Sequence, residues 1–75
     1  MNIYVAQIEH RHGWNFYAAK SQEGLDKQIY EYCREWWDEI RVGEIPTEDM
    51  SAAINLYFEF ADEEWLTRDE AELRD

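Results

Sequence analysis

Two histidines two residues apart, His10 and His12, follow Glu9 and are the first side chains along the chain that could hold a metal. In an extended strand residues i and i+2 face the same side, so His-x-His is a legitimate beginning for a zinc site. Zinc needs a third and usually a fourth ligand. The sequence has no other histidine, and its one cysteine, Cys33, falls on an apolar helical stripe. Two exposed turn histidines and a small buried hydrophobe are therefore the expectation, with no metal and no cofactor. A second candidate is the run Asp62-Glu63-Glu64, followed by Asp69, Glu70 and Glu72. Clustered carboxylates hold calcium or magnesium, or serve as an acid and base when burial drives their pKa values apart. The glycine-punctuated loop of an EF-hand is missing, and a solvated helix terminus accounts for the run. Ser21 and Ser51 look like a helix cap and an early helix position, with no base beside either. Gly13, Gly24 and Gly43 are isolated, so no phosphate-cradling loop is present. The chain is not expected to be an enzyme.

The acidic residues form a more extensive pattern. Of the net charge of −11, residues 1–34 contribute nothing, with four acids against four bases. Residues 35–75 hold fourteen acids against Arg41, Arg68 and Arg74, and no base lies between Val42 and Thr67. Glu31, Glu35, Asp38 and Glu39 recur at helical steps, and Glu44, Glu48, Asp49, Glu59, Asp62, Glu63 and Glu64 continue the series. Carboxylates three or four apart on a helix sit about 5–6 Å from one another, a spacing comparable to that of successive phosphates on one DNA strand. Such a face repels nucleic acid and anionic membrane and attracts a basic protein. Plain solubility is the competing explanation.

These side chains must be positioned by a small set of elements. Leu25, Ile29, Tyr32, Cys33, Trp36, Trp37 and Ile40 step by three and four behind a Ser21 cap, which predicts a helix over residues 22–40. Gly43 can supply its left-handed stop. Thr47 can cap a second helix over 48–60, whose apolar face is Met50, Ile54, Tyr57, Phe58 and Ala61. Ahead of both, Ile3–Glu9 and Trp14–Lys20 read as two strands joined through His10–Gly13, a hairpin over 3–20. Thr67-Arg68-Asp69-Glu70 has capping-box spacing and predicts a short helix over 68–74, while Trp65 and Leu66 suit a short third strand. The expected fold is one α+β domain of 75 residues, an antiparallel hairpin packed on two antiparallel helices. Neither hairpin face is cleanly polar, so one is expected to carry exposed aromatic surface. Neighbouring Trp36 and Trp37 diverge by about 100°, so only one can be fully covered. Trp37 joins the acidic residues as the partner-binding candidate. The N-terminus lacks the pattern of a signal peptide and no stretch is long enough to cross a bilayer, which points to the cytoplasm.

Length, the carboxylate stripe from Glu31 to Glu64, aromatic content and a compact α+β domain give the chain a class resemblance to the small acidic proteins of phages and mobile elements. DNA mimics and anti-CRISPR or anti-restriction inhibitors belong to that class. The segment from Ile3 to Ile40 also resembles a recurring type of small bacterial protein in which an aromatic hairpin with a His-x-His-Gly turn precedes a Trp-Trp helix. The first resemblance implies an inhibitor that presents a DNA-mimicking face to a basic, nucleic-acid-binding protein. The alternative is a structural or dimerising module, a homodimer included, that uses the aromatic hairpin face and Trp36/Trp37.

Overall fold

The computed structural model describes residues 1–46, 48–72 and 74. Strand β1 (Asn2–His10) turns through Arg11 and His12 into β2 (Gly13–Ala19). Gly13 holds φ at +131°, a backbone conformation that residues with a Cβ rarely adopt. The register runs from His10↔Gly13 to Tyr4↔Ala19, so Glu9 stands opposite Trp14 and Gln7 opposite Phe16.

Helix α1 spans Gln22–Trp36 and starts where expected. The Ser21 hydroxyl accepts the Gly24 N–H at 3.0 Å, and Leu25, Ile29, Tyr32 and Cys33 form its buried stripe. The Gln28 side-chain amide donates to the Ala18 carbonyl at 2.9 Å and ties the helix to β2. The expected helix over 22–40 is not continuous. Its last turn tightens into a 3₁₀ turn, Trp37–Ile40, and Arg41 at φ +55° closes it, ahead of Gly43 at φ +98°. Trp37 lies in the core and its indole N–H donates to the Gly43 carbonyl at 2.8 Å, a bond that draws the following loop back beneath the turn.

Helix α2 spans Met50–Phe60, two residues shorter at its start than the expected 48–60. Its cap is Asp49, whose carboxylate accepts the Ala52 N–H at 3.1 Å. The expected cap, Thr47, lies outside the described residues. Ala53, Ile54 and Tyr57 are its buried positions.

The largest correction concerns the C-terminal segment. Instead of a helix over 68–74, strand β3 (Trp65–Glu72) pairs antiparallel with β1 along its whole length, from Glu9↔Trp65 to Asn2↔Glu72. The sheet order is β2-β1-β3. Without β3 the outer edge of β1 would leave a row of backbone donors and acceptors unpaired, and that ladder outweighs a local capping signal. Arg68 reaches Asp26 of α1 at 3.4 Å and fastens the strand to the helical layer.

Ala6 and Ile8 of β1 meet Leu25, Ile29, Tyr32, Cys33, Trp37, Ala53, Ile54 and Tyr57 in a single core. The helices thus cover the face that carries Tyr4, Ala6 and Ile8. The opposite face is open, with Trp14, Phe16 and Trp65 at 57, 70 and 58 % exposure.

Candidate binding groove

Three segments enclose a groove of about 670 Å³: the outer side of α1 with its 3₁₀ turn, the His10–His12 turn, and the loop from α2 to β3. The end of α1 and the 3₁₀ turn bring Glu35 and Glu39 to one wall, and the loop supplies Asp62, Glu63 and Glu64 to the other. Five carboxylates face one guanidinium, that of Arg11, which reaches Glu63 at 3.6 Å with both groups largely in solvent. Exposed pairs of this kind contribute little, so the field of the groove stays negative. Trp36 and Phe60, each about half exposed at 45 and 49 %, add apolar surface to the same groove. Glu31 and Glu35 also line an adjoining groove of about 490 Å³ with Arg34 and Gln28.

Glu64 behaves unlike its neighbours. Glu63 adopts φ +63°, a left-handed turn between α2 and β3, and the chain beyond it sends Glu64 inward and Trp65 onto the open sheet face. The Glu64 carboxylate accepts the Tyr32 hydroxyl at 2.5 Å and the Tyr57 hydroxyl at 2.9 and 3.1 Å. Tyr32 and Tyr57 meet edge to face with ring centroids 5.9 Å apart, and His10 stacks on Tyr32 at 6.3 Å. Nδ1 of His10 accepts the His12 backbone N–H at 3.2 Å, which assigns the proton to Nε2, 3.3 Å from the Asn15 amide oxygen. Both ring nitrogens are therefore engaged within the chain. Among the described residues no three His, Cys, Asp or Glu side chains converge as metal ligands.

Burial disfavours the phenolate of Tyr57, and the carboxylate of Glu64 that its hydroxyl faces adds to the effect, so Tyr57 ionises far above the ordinary tyrosine range. Tyr32 is raised first by burial and then by Glu64, with the neighbouring Tyr57 hydroxyl offsetting part of the effect. Burial, reinforced by Glu64, pushes the Cys33 thiol up to about 12. In the unfolded chain these groups lose their protons near 10.0 for tyrosine and 9.0 for cysteine. Their contribution to stability is thus complete below pH 9 and is lost as pH rises through the folded values, by up to about 1.4 kcal/mol per pH unit for each group. Urea midpoints are expected to fall steeply above pH 9–10. The double variant Tyr32→Phe/Tyr57→Phe should show a shallower fall, and an unchanged alkaline slope in that variant would reject the tyrosine assignment.

Of the sequence candidates, Glu35, Glu39, Asp62, Glu63 and Glu64 come together in the groove, with Glu31 beside it. Asp38, Glu44, Glu48 and Glu59 are exposed elsewhere, and Asp49 is occupied in capping α2. Trp37 is 4 % exposed and cannot meet a partner; Trp36 is the exposed member of the pair. Phe60 was not legible as a surface residue, since it follows buried Ala53 and Tyr57 by seven and three residues and is nonetheless 49 % exposed at the end of α2. Compared with protein-family models, with curated proteins and with solved structures, the chain matches none. No helix among the described residues is long and apolar enough to cross a membrane.

Proposed function

We propose that this is a non-enzymatic acidic binding protein of the cytoplasm that inhibits a basic, nucleic-acid-binding protein by occupying the surface where nucleic acid would lie. The observation that carries this reading is the groove in which five carboxylates are opposed by one arginine and flanked by two half-exposed aromatic rings. The carboxylate walls concentrate negative charge on one surface, and its sign disfavours direct binding to nucleic acid or anionic membrane. Charge alone is not sufficient for tight binding. Exposed ion pairs contribute about 0.2–1 kcal/mol each, so the exposed Glu35, Glu39, Asp62 and Glu63 supply at most about 4 kcal/mol, whereas a nanomolar complex needs about 12. Trp36 and Phe60 are the groove residues able to act as buried anchors in a complex.

Affinity capture from lysate of the source organism, at low salt and at about 0.5 M, tests the reading, because the screening length falls to about 4 Å at the higher salt. A basic protein retained at low salt, eluted by salt and by duplex DNA, and lost with the variant Glu35→Gln/Glu39→Gln/Asp62→Asn is the expected result. A partner held equally at both salts and by the neutralised variant would reject it.

A further inference from the structure

The open face of the sheet carries a different constellation. Because directly paired residues project to the same side, Trp14, Glu9 and Trp65 form one row across β2, β1 and β3. The Glu9 carboxylate makes no hydrogen bond or ion pair with the described residues, and both flanking indoles are more than half exposed. The next rows are Phe16-Gln7-Thr67 and Ala18-Val5-Asp69, so the three strands place two carboxylates and no base on this face. Arg68 lies on the other side, bonded to Asp26.

We propose that the Trp14-Glu9-Trp65 row is a docking site for an arginine side chain of a partner protein, with apolar residues of the same segment resting on Phe16 and Val5. Adjacent strands lie about 4.8 Å apart, which sets the backbones of Trp14 and Trp65 about 10 Å from one another. A planar cation between them lies within the roughly 6 Å over which an indole face attracts it, directly above a carboxylate that can accept two of its N–H groups. Other occupants fit less well. Covering Glu9 with a purely apolar surface would desolvate a carboxylate and leave it unpaired. A second copy would bring its own Glu9 and Asp69 against these, and nucleobases stacking on the indoles would carry phosphates toward a chain of net charge −11. Arginine is preferred over lysine because its guanidinium both stacks and forks. This site does not depend on the carboxylate groove, which lies on the helical side of the sheet.

The test is a titration of the isotope-labelled full chain with acetyl-Leu-Ala-Arg-Ala-Leu-amide and with the same peptide carrying glutamine in place of arginine, read at the four indole N–H resonances. The arginine peptide is expected to shift the Trp14 and Trp65 signals and the glutamine peptide to leave them in place. Glu9→Gln should weaken the interaction about fivefold. Trp14→Ala/Trp65→Ala should abolish it, and Glu35→Gln/Glu39→Gln should leave it unchanged. Equal responses to the two peptides, a response confined to Trp36, indifference to Glu9→Gln, or self-association of the free chain through Trp14 and Trp65 would each overturn the proposal.

Discussion

Replacing Trp37 by alanine is expected to cost about 3–5 kcal/mol, the range for truncating a large buried aromatic side chain. The indole is 4 % exposed, packs at a ring-centroid distance of 6.3 Å from Tyr57, and donates to the Gly43 carbonyl at 2.8 Å. Its removal therefore leaves a cavity beside Tyr57 and breaks the bond that holds the Gly43 loop against the 3₁₀ turn. At about 0.05–0.15 kcal/mol per residue, a domain of this size has roughly 4–11 kcal/mol of stability in all. The variant should be largely unfolded at 37 °C, with its urea midpoint displaced far to the left in far-UV circular dichroism. Trp36→Ala, one residue away and 45 % exposed, should shift the midpoint by no more than about 1 kcal/mol. It should instead weaken capture of a basic partner. Equal midpoints for the two variants would mean that the inward and outward assignments are wrong.

That contrast also marks where the sequence stops being informative. Helix α1 was legible because its cap and stripe are local: Ser21 and the steps from Leu25 to Cys33 need no distant partner to be recognised. Divergence of Trp36 and Trp37 was equally local, but the identity of the buried ring was not. It depends on the tightening of the helix into a 3₁₀ turn and on Gly43 returning beneath the indole. The β3 segment shows the same limit more sharply. Thr67 and Glu70 stand at capping-box spacing, and nothing within residues 65–72 says that β1, more than fifty residues earlier, offers a free edge. Pairing with that edge decided the conformation. In the hairpin, alternation identified two faces, while helix burial was needed to show that Tyr4, Ala6 and Ile8 point inward and Trp14 and Phe16 outward.

Glu63 and Glu64 are indistinguishable in a sequence and opposite in consequence. Glu64→Ala leaves the hydroxyls of Tyr57 and Tyr32 without their acceptor. Water from the groove can reach Tyr32, which lines it, but Tyr57 is fully buried. At about 1–3 kcal/mol for an unsatisfied buried group, and more for the loss of a charged acceptor, the expected destabilisation is about 2–4 kcal/mol. Glu64→Gln keeps an acceptor oxygen but loses its charge, so it should fall between wild type and Glu64→Ala. Removing both sides together, in Tyr32→Phe/Tyr57→Phe/Glu64→Leu, should restore much of the loss, because an apolar replacement leaves no polar group stranded. Glu63→Gln breaks only the exposed 3.6 Å contact with Arg11 and should move the urea midpoint by less than about 0.5 kcal/mol. Failure of the triple variant to recover stability would mean that Glu64 acts through the turn it follows rather than through the two tyrosines. Glu64 is thus committed to the fold, and the charge that a basic partner meets in the groove is that of Glu35, Glu39, Asp62 and Glu63.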